Sequence, residues 1–245
     1  MNTYSADLHI HTLLSPCGDL DMTPLNIVKQ AIHKNIDIIG ITDHNSTLQI
    51  PLVKAFAAEY GIFVLSGVEI TTKEEVHCLA FFEFDQQLAE FQAYLESQLP
   101  KIPINPDKFG YQVVIDKDEN IVYEAPYLLI NGLTQSLNQV QKRVKDLDGL
   151  FIPAHVNRPT FSLISQLGFI PPDLVVDALE VSRHITPAKF VAQQRLTKPY
   201  TFIQSSDAHF PNDIGSVCTQ FRIMEPSFQE IRMALKNENG RSVVY

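Results

Sequence analysis

His9 and His11 stand two residues apart in Ala6–His11, a stretch that reads as a strand, so both imidazoles leave one face. Asp7 shares that face, while Leu8 and Ile10 point the other way, toward covering helices. Asp207 and His209 repeat the spacing after Thr201-Phe202-Ile203-Gln204. His44 closes a second strand in Thr42-Asp43-His44, Glu69 a third in Gly67-Val68-Glu69, and His155 another in Phe151-Ile152-Pro153-Ala154-His155. Each short pattern is unspecific alone. Gathered at the C-terminal ends of strands, where open parallel sheets and barrels build their sites, they point to a metal centre. Imidazole nitrogen and carboxylate oxygen suit zinc, manganese or iron, and the chemistry in reach is metal-assisted hydrolysis.

His77 lies at the start of its strand, Val76–Phe82, rather than at its end. Only about seven residues separate it from Glu69, too few for a parallel crossover. The strand is therefore expected to run antiparallel to its predecessor, which brings His77 beside Glu69. Six of the eight histidines and three carboxylates are too many ligands for one ion, so two or three are needed. Three divalent cations would outweigh Asp19, Glu69 and Asp207 and leave a pocket of about +3, attractive to a phosphate dianion. They would also lower the pKa of a bound water and give a hydroxide nucleophile. Arg158, three residues after His155, is placed to engage phosphate oxygens with its planar fork. Arg183 and His184, after Glu180-Val181-Ser182, are further candidate substrate contacts.

The elements that must position these groups alternate strand and helix. Strands are expected at Ile36–Thr42, Ile62–Glu69, Val76–Phe82, Leu150–His155, Ala178–Ser182 and Tyr200–Ser206. Helices are expected from Thr23-Pro24, near Leu48–Tyr60, over Gln86–Gln98 and near Ser227–Lys236. Thr23 is a suitable N-cap and Pro24 a suitable first helical residue. Such strand–helix units imply an α/β protein with a mainly parallel sheet or barrel. A proline-rich stretch and a β-hairpin (Tyr111–Ile115 and Ile121–Glu124, around Lys117-Asp118-Glu119-Asn120) break the rhythm. We read residues 100–135 as an insertion in a single domain spanning 1–245, either a lid or specificity element or a surface elaboration.

The 245 residues carry 19 basic and 28 acidic side chains, a formal net charge of −9, which argues against wrapping long nucleic acid. The three cysteines, Cys17, Cys78 and Cys218, form no CxxC pair, so neither a disulfide framework nor a thiolate zinc site is expected. Cys17 and Cys78 are read as small packing residues and His33 as a surface or packing residue. No secretory signal or membrane-spanning run is evident, and a cytoplasmic location is expected.

Together, His9-Ile10-His11, Thr42-Asp43-His44, Gly67-Val68-Glu69, His155 and Asp207-Ala208-His209 resemble the ordered motifs of the PHP (polymerase and histidinol phosphatase) family, from about residue 6 to residue 210. The resemblance extends to Asp19 and His77. It implies an irregular (β/α)7 barrel with a trinuclear site at the C-terminal ends of its strands. One ion would be held by His9, His11, Glu69 and Asp207. A second would be held by Glu69, His77 and His155, and a third by Asp19, His44 and His209. The activity so implied is metal-dependent phosphoesterase, on a small phosphomonoester or nucleotide. Two other readings are a non-catalytic regulatory or scaffolding module and a nuclease acting on short single strands.

Overall fold

The computed structural model describes residues 1–194, 196 and 198–245. Its first half runs β1 (Asn2–Ile10), α1 (Pro24–His33), β2 (Ile38–Ile41), α2 (Ile50–Glu59), β3 (Phe63–Thr71), β4 (His77–Phe82) and α3 (Asp85–Gln98). A one-turn helix α4 (Pro106–Phe109) and the hairpin β5 (Val113–Ile115) and β6 (Ile121–Glu124) follow. Then come α5 (Leu137–Asp146), β7 (Leu150–Pro153), α6 (Leu163–Leu167), β8 (Leu179–Glu180), α7 (Pro187–Gln193) and β9 (Phe202–Ile203). The chain closes with β10 (Thr219–Ile223), α8 (Phe228–Leu235) and β11 (Ser242–Val244). The helix starts follow their sequence signals. Thr23 accepts from the Asn26 N–H ahead of Pro24, and Ser227 accepts from the Glu230 N–H.

This is a mixed α/β fold. Seven strands form one curled sheet in the order β11-β10-β1-β2-β3-β4-β7, and β8 pairs with β9 separately, in parallel. β1, β2 and β3 are parallel, and β4 runs antiparallel to β3, as the short connection requires. The described strands do not make one unbroken ladder. The segment that follows β7 meets β8 through single bonds such as Val156 N–H to the Glu180 carbonyl. The segment after β9 meets β1 through Ala208 N–H to the His9 carbonyl and His11 N–H to the Ala208 carbonyl. The expected strands Ala178–Ser182 and Tyr200–Ser206 shrink to two residues each, because side chains take the bonds a ladder would make. Asn157 accepts from the Ser182 N–H, Thr219 from the Gln204 N–H and Asp7 from the Ser206 N–H.

Two apolar clusters sit on the two faces. One packs β-strand residues such as Ile39, Val68 and Ala80 against α1, α2, α3 and α5. The other gathers Ala6, Leu8, Leu65, Phe81 and Ile152 around Phe228, Ile231 and Leu235 of α8. Gly67 belongs to this second face: it pairs with Phe81, and a Cβ there would come within 2.3 Å of the Phe81 ring. The expected alternation in β1 fails between Asp7 and Ile10, where the register with β2 shifts. Leu8 therefore joins the α8 cluster while Ile10 joins the other, so the two do not share a face. Asp7 turns to accept the Ser206 and Gly215 N–H groups.

Candidate metal centre

The face that α8 covers at one end carries the polar residues at the other. Leu65 and Glu69 lie four residues apart on β3, and Phe81 and His77 on β4, so each strand changes from apolar to ligand-type along one face. His9, His11, His44, Glu69, His77 and His155 are all buried. His155 and Asp207 follow their strands with φ of 28° and 53°, conformations uncommon outside glycine that cluster at functional sites.

Glu69 is the hub. Its Oε1 lies 2.8 Å from His77 Nδ1, 3.1 Å from His155 Nε2 and 3.4 Å from His9 Nε2. Its Oε2 lies 3.1 Å from His44 Nδ1, off the line of a hydrogen bond, and 3.4 Å from His11 Nε2. Burial alone would push this carboxyl up, but His77, His9 and His44 hold it well below the usual carboxylate range. Burial opposes charge on His9 as well, yet Glu180, Glu69 and Asp207 hold that imidazole well above its ordinary value. Burial pushes His44 well down, and burial with the neighbouring His11 pushes His209 down to about 4.

The hydrogen bonds around the rim assign the tautomers. The Ser15 hydroxyl donates to Asp43 Oδ1 and accepts the His44 N–H, so its contact with His11 Nδ1, at 2.9 Å, is accepted from the ring. Glu180 accepts from His9 Nδ1 at 3.1 Å, and the Asp207 carbonyl accepts from His209 Nδ1 at 2.9 Å. In the neutral form of each of these three rings the Nε2 lone pair is the one left for a cation. His9 Nε2 and His11 Nε2 then face each other at 3.2 Å, an arrangement two neutral acceptors tolerate only around a cation or a proton. Three ligand triads each fit within 4.8 Å: His9–His11–Glu69, His44–Glu69–His77 and His11–His44–His209. The donor set fits hard or borderline divalent cations.

Three expected ligands stand at the edge of this cluster. Asp207 lies 3.5 Å from His9 Nε2 but also pairs with Arg158, Nη1 to Oδ2 2.5 Å. His155 touches Glu69 but none of the three triads includes it. Asp19 is tied by its N–H to the His209 carbonyl, while its carboxylate accepts the Asp21 N–H and joins no triad. Beside the cluster a cavity of about 380 Å³ is lined by Arg158, Arg183, His184, Asp207 and His209. Arg183 is held there by Asp213, at 3.2 Å, and Ser216. Cys17, expected to pack, is instead exposed on this wall, whereas Cys78 is buried in the core as expected.

Sequence reasoning passed over two orienting carboxylates. Glu180 is buried, receives His9 Nδ1 and also accepts the His155 N–H at 2.9 Å. Asp43 accepts from the Thr12 N–H, the Thr12 hydroxyl and the Ser15 hydroxyl, each at 2.7 Å. Their signal was position: Glu180 ends a strand and Asp43 sits inside Thr42-Asp43-His44.

A family model described as the PHP domain matches residues 7–147, more than half of the chain. The chain belongs to the PHP family. A second model, PHP-associated, matches residues 192–239. Among relatives, protein YqxK of Bacillus subtilis is 27% identical over 277 residues, covering 100% of this chain and 65% of its own length. The 5'-3' exoribonuclease of Haemophilus influenzae is 30% identical over 158 residues, covering 58% of this chain and 56% of its own. The chain thus spans less than two thirds of either relative. The PHP fold recurs in the lesion-specific endonuclease PfuEndoQ of Pyrococcus furiosus, with a TM-score of 0.74 at 23% identity over 99% of this chain and 58% of that one. It recurs in a Bifidobacterium adolescentis protein assigned as a metal-dependent phosphoesterase, with a TM-score of 0.58 at 21% identity over 95% of this chain and 96% of that one. Among the described residues of this PHP chain, no helix is long and apolar enough to cross a membrane.

Proposed function

We propose that residues 1–245 form one metal-dependent phosphoesterase domain, with zinc, manganese or iron held among His9, His11, Asp19, His44, Glu69, His77, His155, Asp207 and His209. The observation that carries this reading is the closeness of His9 Nε2 and His11 Nε2 to the buried Glu69 carboxylate, with His44, His77 and His209 completing triads around it. Bound divalent cations would supply positive charge for the phosphoryl oxygens and a water of lowered pKa. The protein's own groups do the rest. Glu180 and Ser15 keep the proton of His9 and His11 on Nδ1, so each ring keeps its donor lone pair at Nε2. Arg158 offers its guanidinium at the cavity mouth, where it can leave Asp207 for an ester's oxygens. Arg183, held by Asp213, and His184 line the space that would receive the rest of the substrate.

A small phosphomonoester or nucleotide suits a cavity of about 380 Å³ in an acidic protein. A nuclease is the second reading, favoured by the exoribonuclease relative and the endonuclease fold neighbour. The deciding experiment strips the protein with a chelator, reloads it with manganese or zinc, and offers phosphomonoesters, nucleotides and short oligonucleotides. Hydrolysis that needs the metal and disappears in Asp207→Ala is expected. No turnover on any of these esters would overturn the reading and leave a non-catalytic metal-binding module.

A further inference from the structure

Phe161 stands beside the imidazole cluster without belonging to the core. Its φ is 56°, in the left-handed region that a bulky side chain rarely adopts. Two bonds keep it there: the Phe161 carbonyl accepts the His77 N–H at 2.9 Å, and the Ser162 hydroxyl donates to the Arg158 carbonyl at 2.7 Å. The ring lies nearly flat on His77, with centroids 4.8 Å apart and planes 16° apart, yet the residue remains 41% exposed. Backbone strain of this kind clusters at active sites and ligand clamps. The imidazoles continue from His77 to His44 and on to His209, at centroid spacings of 5.3 and 6.3 Å. At that far end Phe210, 52% exposed, shares the cavity wall with Arg158 and Arg183. Guanidiniums for phosphate, flanked by exposed aromatic residues, are the elements that hold unpaired nucleotides.

We propose that Phe161 is a stacking platform for an unpaired nucleobase, so that the ester this site takes is a nucleotide or the free end of a single strand. The inference rests on the phosphoesterase reading above. A base inside a duplex has both faces covered by its neighbours and cannot use the platform.

The test compares Phe161→Leu, which keeps apolar bulk on His77 without an aromatic face, and Phe161→Gly, which suits the φ of 56°. The substrates are a short single-stranded oligonucleotide and the same oligonucleotide with abasic terminal positions. In both variants KM for the intact strand should rise about tenfold, with kcat and the abasic strand little changed. In parallel, an oligonucleotide ending in 2-aminopurine should lose fluorescence on binding the chelated wild-type protein, and not on binding either variant. Equal effects on intact and abasic strands, or unchanged quenching, would overturn the stacking role. Quenching that depends on Phe161 in a protein that hydrolyses no ester would sustain it while the phosphoesterase reading failed.

Discussion

The two halves of the candidate metal centre are built by different means. Residues 2–82 deliver His9, His11, Glu69 and His77 on or directly after strands of the seven-stranded sheet, whose pairing, shifted once between Asp7 and Ile10, fixes their spacing. Residues 150–209 deliver His155, Asp207 and His209 after strands of four or two residues, with two of these candidate ligands at positive φ. There the ladder is too short to set side-chain positions, and buried or half-buried polar side chains act in its place. Glu180 accepts the His155 N–H, Asp7 accepts the Ser206 N–H, and Gln204 ties its own segment to the Ser182 and Ile185 carbonyls. Side chains held by the sheet are expected to keep their places for as long as the fold does. Clamp-held ligands can be lost while the fold stands.

That difference is open to direct attack. Glu180→Gln should lower metal affinity by about 10- to 100-fold, because it releases the His155 backbone and also the ring tautomer of His9, whose backbone the sheet still holds. The unfolding midpoint of the chelated protein should move little, and metal titration alongside denaturant melts would show the separation. Gly67→Ala should do the reverse. The new methyl meets the Phe81 ring and should cost roughly 1–3 kcal/mol of stability, with metal affinity of the folded fraction unchanged. If the two variants behaved alike, the distinction between the halves would collapse.

A smaller effect lies in the acid response of the chelated protein. His209, whose pKa burial and His11 depress to about 4, is neutral when folded and takes up a proton on unfolding below pH 6.5. Its contribution to stability is therefore complete above pH 6.5 and lost as the pH falls toward 4. His209→Gln should show a shallower decline over that window when the two proteins are melted in parallel. An unchanged slope would mean the ring is not held neutral.

The same contrast governs what the sequence disclosed. Period-two spacing and strand ends picked out His9, His11, Glu69 and Asp207, and chain length between Glu69 and His77 sufficed to turn β4 antiparallel. The register shift after Asp7 was invisible, since an extra residue in a strand leaves the pattern of residue types intact. It sent Leu8 and Ile10 to different faces. The clamps were missed for a related reason: Glu180 is one residue in a two-residue strand, and its partner His9 is 171 positions away. The partner strands β10 and β11 were also missed, and they matter because β10 pairs with β1 along its first five residues.

Calorimetric titration of manganese or zinc into the chelated protein, repeated with Glu69→Gln, tests most directly whether the buried imidazoles exist to hold cations. More than one ion should bind per chain to the unaltered protein, and the variant should lose most of that capacity, because one carboxylate faces five imidazoles. A chain that takes up no ion, or a variant that binds as fully as its parent, would contradict the account.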